Sequence, residues 1–115
     1  MDRSPFTATV TGAAPVTGQA VEGGACTPNL AGETVVIYDA SGKRKLGSAV
    51  QPSRGEVLPS DFGDMAGWCF HATRVAQVPG GEGMYKVQVG GGNLVTVEEE
   101  QLRASADEQR QVMKR

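Results

Sequence analysis

The stretch AGETVVIYDASGKRKLGSAV, residues 31–50, constrains this chain most. Thr34, Val35, Val36, Ile37 and Tyr38 form a β-branched and aromatic run that suits a pleated, half-buried strand. DASG follows: an Asp side chain closes turns on its own backbone, and Gly42 supplies a positive φ without steric cost. KLGSAV then returns as the partner strand. The segment reads as a β-hairpin.

The remainder repeats this grammar. In PFTATVTG, Phe6, Ala8 and Val10 fall on one face and Thr7, Thr9 and Thr11 on the other, the period of a half-buried strand. A second short strand is expected over 18–23. WCFHATRV and MYKVQVG are two further strands, the latter with Tyr85, Val87 and Val89 on one face, and NLVTV extends it or forms an edge strand. Residues 51–67 hold two Pro and three Gly with no sustained period, and read as one long loop of the kind that is often functional. Gly is abundant, 16 of 115 residues, and clusters in turns, which favours many short strands over long helices. Aromatics are only 5%, so the core must be built from Val, Ile, Leu, Met and Ala.

From Thr96 the character changes. TVEEEQLRASADEQRQVMKR has no Gly or Pro, and Thr96 with Glu99 matches a capping box. Acidic residues at its start and Lys114–Arg115 at its end suit a helix dipole. Its apolar residues, Val97, Leu102, Ala106, Val112 and Met113, do not form one continuous face, so its second half is expected to fray or need a partner. A β-sandwich domain is expected over residues 1–97, with a C-terminal helix over 98–115 that is part of the same domain or a tail. The fold class is mainly β: a small immunoglobulin/transthyretin-like antiparallel β-sandwich with a C-terminal α-helix.

Charge and spacing exclude several functions. Eleven Lys and Arg against thirteen Asp and Glu give a net charge of −2 with no basic stripe, which argues against nucleic acid as a partner. The KRK triplet at 43–45 reads as a solvated turn. No apolar run approaches the roughly 20 residues of a membrane helix. DFGD (61–64) is kinase-like in its letters only, for the chain lacks the other kinase motifs. Asp61, Asp64 and Glu56 are poorly spaced for Ca²⁺. The Gly clusters lack the strand-to-helix setting of a phosphate loop. No paired carboxylates stand out for glycoside chemistry. No cofactor, metal or catalytic residue is expected.

In order, AGETVVIYDASGK, VAQVPGGEG and MYKVQVG resemble the strands of a transthyretin-like or carboxypeptidase-regulatory-like β-sandwich over about residues 6–97. The chain also resembles an uncharacterised group of actinobacterial secreted or membrane-tethered β-domains. There an early Cys precedes a D-x-x-G-K hairpin, and a second Cys opens a strand running to V-x-x-V-P and then Y-x-V-x-V. The matching positions are Cys26; Asp39, Gly42 and Lys43; Cys69; Val75, Val78 and Pro79; and Tyr85, Val87 and Val89. His71 and Thr73 stand where the group alternates aromatics, and its G-G-Y-S-D stretch is missing. The resemblance implies fold and compartment, and no activity.

GDMAGWCFHA places Trp68, Cys69 and His71 side by side. Cys69 and His71 share a strand face about 6–7 Å apart, which is weak support for a nucleophile, since no oxyanion hole or elbow accompanies them. Three states stand open: a Cys26–Cys69 disulfide, two buried thiols, or a reactive Cys69. The disulfide suits a small, aromatic-poor β domain best and argues for an extracytoplasmic home, secreted or membrane-tethered with its leader removed. MDRSPF has no apolar signal segment, so a native Met1 would make the chain cytoplasmic. A Zn²⁺ site would need a carboxylate to complete Cys26, Cys69 and His71, and stands as a minor alternative.

The expected function is a non-enzymatic extracytoplasmic binding or scaffolding module for another protein or a cell-envelope component. Its candidate binding residues are Trp68, with Phe62 and Arg54 from the 51–67 loop, and His71; Trp68 as plain core stands beside that reading. The alternative is a self-assembling structural component of a cell surface or virion, a homo-oligomer through the C-terminal helix or an edge strand. A small Cys/His-dependent enzyme comes third.

Overall fold

The computed structural model describes residues 3–16, 21–29 and 31–114. Among these residues, eight strands form two antiparallel four-stranded sheets. The first sheet has the order β1 (Phe6–Ala14), β6 (Cys69–Val78), β5 (Gly55–Val57), β2 (Ala25–Cys26), and the second β4 (Lys45–Val50), β3 (Thr34–Tyr38), β7 (Met84–Val89), β8 (Val95–Glu98). Two short helices follow, α1 (Glu99–Arg103) and α2 (Ala106–Met113). The chain is thus mainly β, a small two-sheet sandwich.

The hairpin forms as the residues dictate. Asp39 Oδ1 accepts from Ser41 Oγ at 2.6 Å and from the Lys43 and Arg44 amides, and the Ser41 bond leads in holding the Asp39 carboxyl below its usual range. Gly42 sits at φ 76°. Leu46 is left without a cross-strand partner, since Ile37 pairs with Gly47 and Tyr38 with Lys45.

The main core lies between the sheets and joins Ala8, Val35, Ile37, Val75, Val78, Tyr85, Val87 and Leu102. Val75 and Val78, three apart, both reach it because β6 bends at Gln77, which adopts φ 59°. Gly47 admits this packing: a Cβ there would lie 2.9 Å from Val75 Cγ1. A second cluster, Leu58, Phe62 and Phe70, gathers Ala13, Met65, Trp68 and Met113 around it. Along the strand, alternation turns Cys69 to the opposite face from its neighbour Phe70.

Four expectations need correction. Residues 51–67 are not one loop: they contain β5, paired on both sides, and a 3-10 helix over Ser60–Met65. The segment closes on itself through Leu58 N–H to the Trp68 carbonyl and Gly67 N–H to the Leu58 carbonyl, both 2.9 Å. A three-residue strand draws its stability from distant partners, so local periodicity cannot reveal it.

The C-terminal helix is two helices, broken where Ala104 and Ser105 are extended. The capping box belongs to Ser105 and Glu108, not to Thr96 and Glu99. Thr96 lies in β8, where its hydroxyl accepts from Lys86 Nζ. The break gives each helix its own anchor: Leu102 enters the main core, and Met113 packs on the second cluster. Of the strand expected over 18–23, residues 18–20 lie outside the described residues, and Glu22 and Gly23 form a turn. Met1 and Arg115 also lie outside them.

Candidate functional site

Cys26 and Cys69 are joined in a disulfide with Cα atoms 5.9 Å apart. Gly55 on β5 makes room for it: a Cβ there would fall on the Phe70 carbonyl and within 2.8 Å of Cys69 Sγ. Bonded, Cys69 has no thiol to pair with His71.

The four candidate binding residues do not converge. Phe62 is buried, 4% exposed, and Trp68 is half-buried in the same cluster. Arg54 is exposed and lines a shallow depression of about 420 Å³ with Ala25, Cys26, Thr27 and Ser53. His71 lies against β1, where a Cβ on its cross-strand partner Gly12 would sit 2.9 Å from Nε2. Burial holds the imidazole below its usual pKa. Two of the three carboxylates weighed for Ca²⁺ are engaged: Glu56 pairs with Arg110 at 2.6 Å and Asp61 with Lys114 at 2.7 Å. Arg110 also lies over the Phe62 ring, 5.3 Å from its centroid, so α2 is clamped onto the 3-10 helix. Among the described residues, no three His, Cys, Asp or Glu side chains gather as a metal ion would require.

A further open feature lies between β1 and β8. Cross-strand partners share a face, and Val95 and Val97 of β8 pair with Val87 and Tyr85, both core residues. Val95 therefore points to the core side, yet it is 59% exposed. The result is a cleft of about 380 Å³ with a floor of Val10, Val87, Val89, Val95, Val97 and Leu102. Thr11, Gln101 and Gln109 border both it and a second depression of about 620 Å³, whose walls include Glu98, Glu100, Glu108 and Val112.

Two polar anchors hold the cleft's helical wall. Gln109 Nε2 donates to the Thr9 carbonyl at 2.9 Å, and Thr11 Oγ1 donates to Gln109 Oε1 at 2.7 Å, which ties α2 to β1. Glu99 Oε1 accepts from Gly81 N–H at 2.9 Å, Gly83 N–H at 3.2 Å and the Tyr85 hydroxyl at 3.0 Å, while Oε2 pairs with Arg103. Burial pushes the Glu99 pKa up, but the Gly83 amide, Arg103, Tyr85 and the Gly81 amide together outweigh it and hold the carboxyl below its usual range. Burial, then the bond to Glu99, pushes the Tyr85 hydroxyl up to about 12.

The cleft residues escaped the sequence reading. The signal was present in NLVTV running straight into three Glu: an apolar edge strand beside an acidic rim. The fold and site define a disulfide-stapled β-sandwich with an apolar cleft on one open side. The chain matches no protein-family model, no curated protein and no solved structure. Among the described residues, no helix is long and apolar enough to cross a membrane.

Proposed function

We propose that this chain is a non-catalytic, extracytoplasmic binding module whose site is the cleft between β1 and β8, and that the cleft takes an apolar segment of a partner protein. The observation that carries this is Val95, directed to the core side of the sheet but 59% exposed. An apolar floor with a few polar groups at its border is the usual form of a recognition cleft. Glu100 and Glu108 stand in the adjoining wall, and no Lys or Arg lines either depression, so a segment flanked by basic residues is favoured. The extracytoplasmic setting is supported by the disulfide.

The test uses a fluorescently labelled valine-rich peptide with lysines at both ends, beside the same peptide ended in glutamates. The lysine form is expected to bind the oxidised protein, the glutamate form to bind more weakly, and Val95→Ser to lose affinity while keeping its fold. Failure of both peptides, or equal binding by Val95→Ser, would remove the cleft from consideration.

A further inference from the structure

The two ends of the second sheet complement each other. β4 and β8 are its outer strands: among the described residues, β4 pairs only with β3, and β8 only with β7. Each presents an unpaired row of backbone groups, the template on which another strand can add.

Their side chains run in matching order. β4 begins at Lys45, just after Lys43 and Arg44, and ends at Val50, which is 64% exposed. β8 begins beside Leu94, 44% exposed, and ends at Glu98, followed by Glu99 and Glu100. Among the described residues, Lys43, Arg44, Lys45, Glu98 and Glu100 form no ion pair. In a four-stranded antiparallel sheet the outer strands run in opposite directions, so a second copy set beside the first brings β4 antiparallel to β8. The basic start of β4 then meets the acidic end of β8, and Val50 meets Leu94.

The register agrees in detail. Lys45 opposite Glu98, with Leu46 kept as the extra residue of its bulge, places Gly47 opposite Val97, Ser48 opposite Thr96, Ala49 opposite Val95 and Val50 opposite Leu94. Gly47 and Ala49 pair with the core residues Ile37 and Val35, as Val97 and Val95 pair with Tyr85 and Val87, so core-side residues meet core-side residues. We propose that this chain self-associates head to tail, β4 of one copy adding to β8 of the next. An interface between two different surfaces does not close at a dimer, so the product is an open chain or a ring. β8 set antiparallel against β8 would place the acidic end of each copy beside Leu94 of the other and bring no opposite charges together, so the charge pattern favours β4 against β8. The inference is independent of the cleft reading.

The experiment is sedimentation velocity on the oxidised protein over the micromolar to millimolar range, with Lys45→Glu, Glu98→Lys and their equimolar mixture. Wild type is expected to gain mass continuously past the dimer. Each variant alone, with like charges on both edges, should need a roughly tenfold higher concentration to associate. The mixture should recover, because the acidic β4 of one variant then meets the basic β8 of the other. A strictly monomeric wild type would make Lys45 a guard that keeps the edge unpaired and would overturn the proposal. So would a mass that stops at the dimer, or variants that associate like wild type. Circular dichroism on each variant checks that these exposed changes leave the fold intact.

Discussion

The Tyr85 hydroxyl lies 2.6 Å from the Pro79 carbonyl oxygen and 3.0 Å from Glu99 Oε1, so one buried group joins β7, the turn before it and the first turn of α1. Two pH limits follow by linkage. The lowered Glu99 pKa contributes stability that is complete above 4.5, its ordinary value, and is lost as the pH falls through the lower folded value. The raised Tyr85 pKa contributes stability present below 10.0 and lost as the pH rises through about 12. Glu99→Gln should cost about 1.5–3 kcal/mol at neutral pH and flatten the acid limb. Tyr85→Phe should cost about 1 kcal/mol and flatten the alkaline limb. Urea titrations across pH measure both, and an acid limb unchanged in Glu99→Gln would refute the assignment.

Gly55 and the disulfide form one packing unit. Gly55→Ala should destabilise by about 1–3 kcal/mol, because its methyl meets the Phe70 backbone and Cys69 Sγ. Replacing both cysteines by alanine removes a crosslink spanning 43 positions, and should cost about 2–4 kcal/mol. The two effects should add to less than their sum, since removing the sulfur removes one of the clashes. Strict additivity in denaturant unfolding would show that the glycine serves the backbone alone.

His71 should titrate below 6.5, because burial disfavours its charged form. The sign is that of a lowered pKa: its contribution is present above 6.5 and is lost as the pH falls through the folded value. Gly12→Ala would force the ring outward and bring its midpoint back toward 6.5. Proton NMR of the single histidine reports both midpoints. A native midpoint at or above 6.5 contradicts the burial.

Gln77 is the only residue other than glycine with positive φ among the described residues. Gln77→Gly should stabilise by about 1 kcal/mol by relieving the left-handed backbone. Thermal melts decide it, and a loss of stability would mean that the Gln77 side chain contributes more than its backbone costs.

The strands were legible wherever a run was long enough to alternate. Val35 and Ile37, and Tyr85 and Val87, lie on the faces that their spacing dictates. The Thr side of β1 was read correctly as a face but not as a covered one: Thr9 is only 6% exposed because α2 lies against β1 and Gln109 bonds to the Thr9 carbonyl. The capping box opens the second helix, not the first. Thr96-x-x-Glu99 and Ser105-x-x-Glu108 carry the same letters, and only the pairing of Thr96 with Lys86 on β7 removes the first from consideration.

By itself the sequence determined the hairpin and its Asp39–Gly42 turn, the alternating faces of the long strands and the helical character after the last strand, because each rests on neighbours within a few positions. The pairing of Cys26 with Cys69 stood as the favoured of three states until the fold set their Cα atoms 5.9 Å apart. The two-sided pairing of β5, the kink between α1 and α2, and the burial of Phe62 were decided by the tertiary structure alone. So was the cleft: Val95 carries the same local pattern as a buried strand residue, and its exposure depends on how far the opposing sheet extends. Pairing and coverage are set by residues distant in the chain, and no local period encodes them.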